Sequence, residues 1–158
     1  MKLALLFASA ALFAAPALAQ DQEAPPVEVD IVGGGVQELT AIAVPAMPVA
    51  GGAPSTLGRQ IAEVIASDLR STGLFTPLGP NGIGSYTLGQ ANAPAYGEWR
   101  NAGAAQLVTG TVEPRGDGAI TVGCYVHDVA AGRELARQGF AVTAANWRRA
   151  AHKCADTI

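Results

Sequence analysis

Apolar and acidic residues alternate over Val27-Glu28-Val29-Asp30-Ile31-Val32, so Val27, Val29 and Ile31 share one side of a strand that Gly33-Gly34-Gly35 ends. Ala41 to Val44 is a short apolar run, read as a buried strand stopped by Pro45 and Pro48. Val49 to Pro54 follows as loop. The period then changes. Leu57, Ile61, Val64, Ile65 and Leu69 recur at helical spacing and make one stripe, while Arg59, Glu63, Asp68 and Arg70 are spread over the rest. Ser55 or Thr56 stands where a hydroxyl can accept from the free N–H groups of the first turn. Gly73 supplies a left-handed residue past the helix end, and Leu74 the apolar contact after it.

Leu74 to Leu78 reads as an edge strand, because Pro77 cannot donate to a ladder. Gly79 to Pro94 is rich in Gly, Pro and Asn and reads as a long, mobile loop. Tyr96 to Gly103 predicts a brief helix anchored by Trp99. Two strands follow, Ala105–Glu113 and Ala119–Asp128, joined by the Pro114–Gly118 turn. Ile120, Val122, Cys124 and Val126 share a face of the second. Ala130-Ala131-Gly132 turns into a third, Glu134–Val142. Asn146 is placed to cap a closing amphipathic helix, Trp147 to Ile158, with Trp147, Ala150, Ala151, Cys154 and Ile158 on one face and Arg148, Arg149, His152, Lys153 and Asp156 on the other. No Gly or Asn follows to end that helix, so it reads as cut in mid-course and the chain as one module of something larger. The order β-β-α-β-α-β-β-β-α, ending in a three-stranded meander, implies an α/β class: a mixed β-sheet packed with helices.

Composition narrows the setting. Met1-Lys2, the apolar run Leu3 to Ala15 and the A-x-A site Ala17-Leu18-Ala19 read as a signal peptide, residues 1–19, cleaved after Ala19. The run is short for a spanning helix, Asp21 and Glu23 follow it without a basic flank, and no Cys stands at the cleavage point for lipid attachment. The mature chain is expected in the periplasm and not inserted in the membrane. Losing Lys2 moves the net charge from −3 to −4; nothing in that balance invites nucleic acid. About 139 residues remain after the leader, enough for one domain with a core of its own. Residues 20–35 then form an N-terminal segment and 36–158 the α/β domain.

The candidate chemistry is thin. Gly33-Gly34-Gly35 runs into a strand, where a phosphate-cradling loop needs a helix N-terminus. Cys124, His127, His152 and Cys154 are all the Cys and His residues present. Cys124 and His127 leave opposite faces of a strand, and His152 and Cys154 are about 200° apart on a helix, so neither pair chelates a metal. Both histidines read as surface-facing. His127-Asp128 points apart, G-x-S-x-G is absent, and the carboxylate pairs Glu28/Asp30 and Glu134/Asp128 read as solvated strand faces. No enzyme activity, cofactor or metal is expected. Cys124 and Cys154 each lie on an apolar face. They either meet in a disulfide closing a loop of about 30 residues, with about 3–4 kcal/mol of stabilisation on the chain-entropy model, or stay as two buried thiols.

Five motifs in order carry a family resemblance: Val29-Asp30-Ile31-Val32-Gly33-Gly34; Ile42-Ala43-Val44-Pro45; Ile61 to Phe75; Tyr96 to Thr111; and Asn146 to Lys153, continued by Ala155-Asp156. With them the mature chain resembles the N-terminal domain of the TolB family of the periplasmic Tol-Pal system. The resemblance implies an anticodon-binding-domain-like α/β fold and a non-enzymatic role in envelope integrity and constriction at division. It also implies a partner-binding segment, about Gln20 to Gly34, that contacts the inner-membrane protein TolA through Val27, Glu28, Val29, Asp30, Ile31 and Val32. Such a strand can add to a partner's sheet edge. In that family a β-propeller follows and binds the lipoprotein Pal, so Pal is expected as a partner only where a propeller is present. The rival expectations are a stand-alone ligand-binding or hydrolytic domain with Gly79–Pro94 as a lid, and a truncated fragment with no independent role.

Overall fold

Strands β1 (Thr40–Ala43), β2 (Phe75–Leu78), β3 (Gln106–Thr109), β4 (Val112–Pro114), β5 (Ala119–Asp128) and β6 (Arg133–Thr143) make one mixed sheet, joined by helices α1 (Leu57–Ser71), α2 (Tyr96–Asn101) and α3 (Trp147–Ala155). The computed structural model describes residues 38–51 and 53–158. The expected leader and the strand Val27–Val32 lie outside them. β1 is parallel to β2 on one side and to β3 on the other. From β3 onward the sheet is antiparallel, with β6 paired along the whole of β5.

The single strand expected over 105–113 is interrupted without losing its pairing. Thr109 faces Tyr125 and Val112 faces Val122, so β3 and β4 hold one register along β5. The interruption falls at Gly110, where an added Cβ would sit 2.1 Å from the Gly123 carbonyl oxygen. Only glycine permits that approach. On the far side β1 departs after Ala43 and the chain rejoins at Val49, which bridges Val112.

Strand alternation divides the interior into two layers. Ile42, Val44, Val108, Val112, Ile120, Val122 and Cys124 face α1 and α3. Ala43 and Leu107 face the other way, toward Tyr86, Ala91, Trp99 and Val129. The stripe of α1 buries Leu57, Ile61, Ile65 and Leu69 against the first layer, so truncating Ile61 or Ile65 to Ala is expected to cost about 2–5 kcal/mol. Gly58 permits the closest contact, since its Cβ would stand 1.8 Å from the Met47 carbonyl oxygen.

Helix ends depart most from expectation. Thr56 is helical in backbone and its hydroxyl makes no cap; the Pro54 carbonyl accepts from Leu57 N–H instead. Asn146 likewise makes no side-chain cap, because a 3₁₀ turn, Ala144–Asn146, leads directly into α3. Gly73 takes the expected left-handed conformation at φ 70°, but Leu74 is exposed, as the Thr72 hydroxyl rather than an apolar contact holds its N–H. α3 ends at Ala155 rather than running through Ile158. Thr157 and Ile158 donate to carbonyls three residues back, and the Thr157 hydroxyl takes the Lys153 carbonyl.

Candidate functional site

Cys124 on β5 and Cys154 on α3 are both fully buried and joined as a disulfide, their Cα atoms 5.8 Å apart. The alternation of β5 and the inner face of α3 bring the sulfurs together, so neither is a thiolate available to a metal. Among the described residues no group of three or more His, Cys, Asp and Glu is arranged to hold an ion. α3 is tied to α1 as well, where His152 Nδ1 lies 2.6 Å from Asp68 Oδ2 and donates to it. His152 is exposed, as the sequence predicts.

His127 is not. It is fully buried on the sheet face opposite Cys124. That face is covered by α2 and by the segment before it, which the sequence reads only as a loop. Thr109 Oγ1 donates to the Ala91 carbonyl at 2.7 Å, which leaves its lone pairs for His127 Nε2–H at 2.8 Å. Nδ1 then accepts from the Tyr96 hydroxyl at 3.0 Å. Neutral imidazole satisfies every member of this chain of bonds. Burial pushes the His127 pKa down, Arg137 adds to that, and Glu134 opposes it.

The Gly79–Pro94 loop is pinned rather than free. Tyr86 is buried, its hydroxyl accepts from Gly110 N–H at 2.7 Å and donates to Gly110 O at 2.9 Å. Its ring packs edge-on against Trp99. Leu88–Ala91 forms a 3₁₀ turn capped through Thr87 and Gln90, and Asn92 accepts from Arg137 at 2.7 Å. The sequence hid Tyr86 because its partner is the backbone of a glycine 24 residues on.

The carboxylates considered for chemistry are separately engaged. Glu134 pairs with Arg137, whose hydrogen bonds hold its pKa below the usual carboxylate range; the guanidinium also lies 4.0 Å over the Tyr125 ring. Asp128 accepts from Ala131 N–H in the β5–β6 turn. Glu28 and Asp30 lie outside the described residues. An open apolar groove of about 340 Å³ lies between Pro54, Leu57, Ile120 and Trp147. Arg115, the charged residue on its wall, pairs with Asp117, so the groove offers no acid–base pair.

Residues 27–135 match the family described as the TolB amino-terminal domain. The Tol-Pal system protein TolB of Rhizorhabdus wittichii is 47% identical over 99% of this chain and 36% of its own length. That of Sphingopyxis alaskensis is 45% identical over 100% and 36%. The chain thus spans about a third of these curated relatives. Among solved structures, TolB from Acinetobacter baumannii superposes with a TM-score of 0.57 at 24% identity, over 76% of this chain and 27% of that one. That likeness is one of fold.

Proposed function

The chain belongs to the family of TolB amino-terminal domains, and from that premise we propose that it acts as a non-enzymatic, periplasmic protein-interaction module of the Tol-Pal system. In this reading residues 1–19 are removed and the mature N-terminal segment, Val27 to Val32 at its centre, engages a TolA-like protein of the inner membrane. The module then supports outer-membrane integrity and envelope constriction during division.

One observation carries the reading. The family match begins at residue 27, so the alternating segment belongs to the shared pattern rather than to a variable lead-in. The described residues support it in kind: His127, Thr109, Tyr86 and Glu134 are committed to internal bonds, and no described helix is long and apolar enough to cross a membrane. The chemistry that remains open is that of surfaces and edges.

Capture of the mature chain by the immobilised periplasmic domain of TolA, beside a variant lacking residues 27–32, tests this. Capture is expected to be lost in the deletion; equal capture of both sinks the role given to the segment. Pal's periplasmic domain is expected to be left uncaptured by this chain alone, because the relatives are about three times longer and the family's Pal contact lies in the propeller.

A further inference from the structure

The two edges of the sheet are built differently. β2 is four residues long and carries Pro77, a form that discourages further pairing. β6 is eleven residues long and changes character midway. Its first half carries Arg133, Glu134 and Arg137, and the register shifts where Leu135 is the extra residue between the Val126–Ala136 and His127–Glu134 pairs. Charges and bulges of this kind protect an edge. Its second half, Gln138-Gly139-Phe140-Ala141-Val142-Thr143, has no charge, no proline and no bulge.

The direction of the free backbone groups follows from the ladder. Gly123 N–H donates to Thr111 O, toward β4. The next residue, Cys124, therefore turns its groups to β6 and pairs with Gln138. By alternation Gln138, Phe140 and Val142 bond inward, while Gly139 and Ala141 direct N–H and C=O away from the sheet. Neither has a partner among the described residues, and both are exposed. Beside this edge runs a polar groove of about 450 Å³, bounded on the α3 side by Asn146, Arg149 and Lys153. Both cations are exposed and neither forms an ion pair among the described residues.

From this juxtaposition we infer that the second half of β6 is a docking edge for an extended acidic segment of a partner protein. The segment adds as a strand to the outward groups of Gly139 and Ala141 and sets its carboxylates against Arg149 and Lys153. Main-chain bonds supply the register and the cations supply the preference. A second copy of this chain is the poorer occupant, because edge-to-edge pairing brings the two sets of Arg149 and Lys153 to one seam.

Fluorescence anisotropy of the whole chain with a fluorescein-labelled hexapeptide of alternating valine and glutamate tests the inference. Saturable binding is expected, weaker at higher salt because the cations are exposed. The lysine-for-glutamate peptide is expected not to bind. Ala141→Pro removes only an outward N–H, which edge strands tolerate, and should weaken binding about tenfold with the unfolding midpoint preserved. Arg149→Glu with Lys153→Glu should do the same. No saturable binding, or binding unchanged in Ala141→Pro, overturns strand addition. Equal binding of the lysine peptide, or no effect of charge reversal, overturns the acidic preference. A dimer detected by sedimentation and abolished by Ala141→Pro overturns the choice of occupant in favour of a second copy.

Discussion

Replacing Tyr86 by Phe removes one oxygen atom and leaves the ring against Trp99. That oxygen serves both backbone groups of Gly110, at 2.7 and 2.9 Å, and burial of the phenol pushes its pKa well above the usual range. A hydrogen bond is worth about 0.5–1.5 kcal/mol net, but a buried polar group left without a partner costs about 1–3 kcal/mol. Two such groups, the N–H and C=O of Gly110, are stranded here in the interior. Tyr86→Phe is therefore expected to cost about 2–4 kcal/mol, a large share of the roughly 5–15 kcal/mol that holds a domain together. In urea, with a slope of about 1–3 kcal/mol per molar, the midpoint falls by about 1–2 M with the slope unchanged. Tyr96→Phe is the control: it strands one buried acceptor, His127 Nδ1, where Tyr86→Phe strands two backbone groups, so a smaller cost is expected. A Tyr86→Phe loss below about 0.5 kcal/mol, or one no larger than that of Tyr96→Phe, refutes the assignment of Gly110 to this phenol.

Three further outcomes are expected. The Cys124→Ala, Cys154→Ala double variant should lose about 3–4 kcal/mol by urea unfolding, and a reductant should then lower the midpoint of the parent but not of the variant. Gly58→Ala gains up to about 1 kcal/mol of helix propensity. The 1.8 Å approach to the Met47 carbonyl oxygen outweighs that, and a net loss of about 1–3 kcal/mol is expected; a stabilised variant in the same urea series would contradict the contact. His127 has its pKa lowered from 6.5 in the fold, so the unfolded chain binds its proton first. Its share of stability is full above pH 6.5 and is lost as pH falls from there toward the folded value, by up to about 1.4 kcal/mol per unit. Unfolding free energies between pH 7.5 and 5 should show that slope and His127→Gln should flatten it. Glu134, whose pKa is lowered from 4.5, acts only at more acid pH.

What the sequence makes legible is what has a period. The stripe from Leu57 to Leu69, the meander from Gln106 to Thr143 and the inward face of Cys124 all follow from repeats of 3.6 or 2. His127 follows the same alternation, but reading its face as solvent overlooks a cover with no period: Tyr86, the Leu88–Ala91 turn and the single anchored turn of α2. The caps at Thr56 and Asn146 fail because of the chain before them: the Pro54 carbonyl takes the Leu57 N–H at α1, and a 3₁₀ turn runs straight into α3. At the proposed partner site the alternation of Val27–Val32 is clear in sequence, but a strand's partner is chosen by another chain's edge, which one sequence does not contain. The β6 edge was visible only once Gly123 had shown which way each amide points.

The phenol of Tyr86 also does for Gly110 what a paired strand would do. Between Ala43 and Val49 the chain leaves the ladder, and the stretch contains Pro45 and Pro48, which have no N–H to offer a neighbouring strand. Gly110 sits against Met47 of that stretch, and both its backbone groups are served by the Tyr86 phenol from a distant loop. The hydrogen bonding of the sheet at Gly110 is thus completed from a loop 24 residues away, by the hydroxyl at position 86.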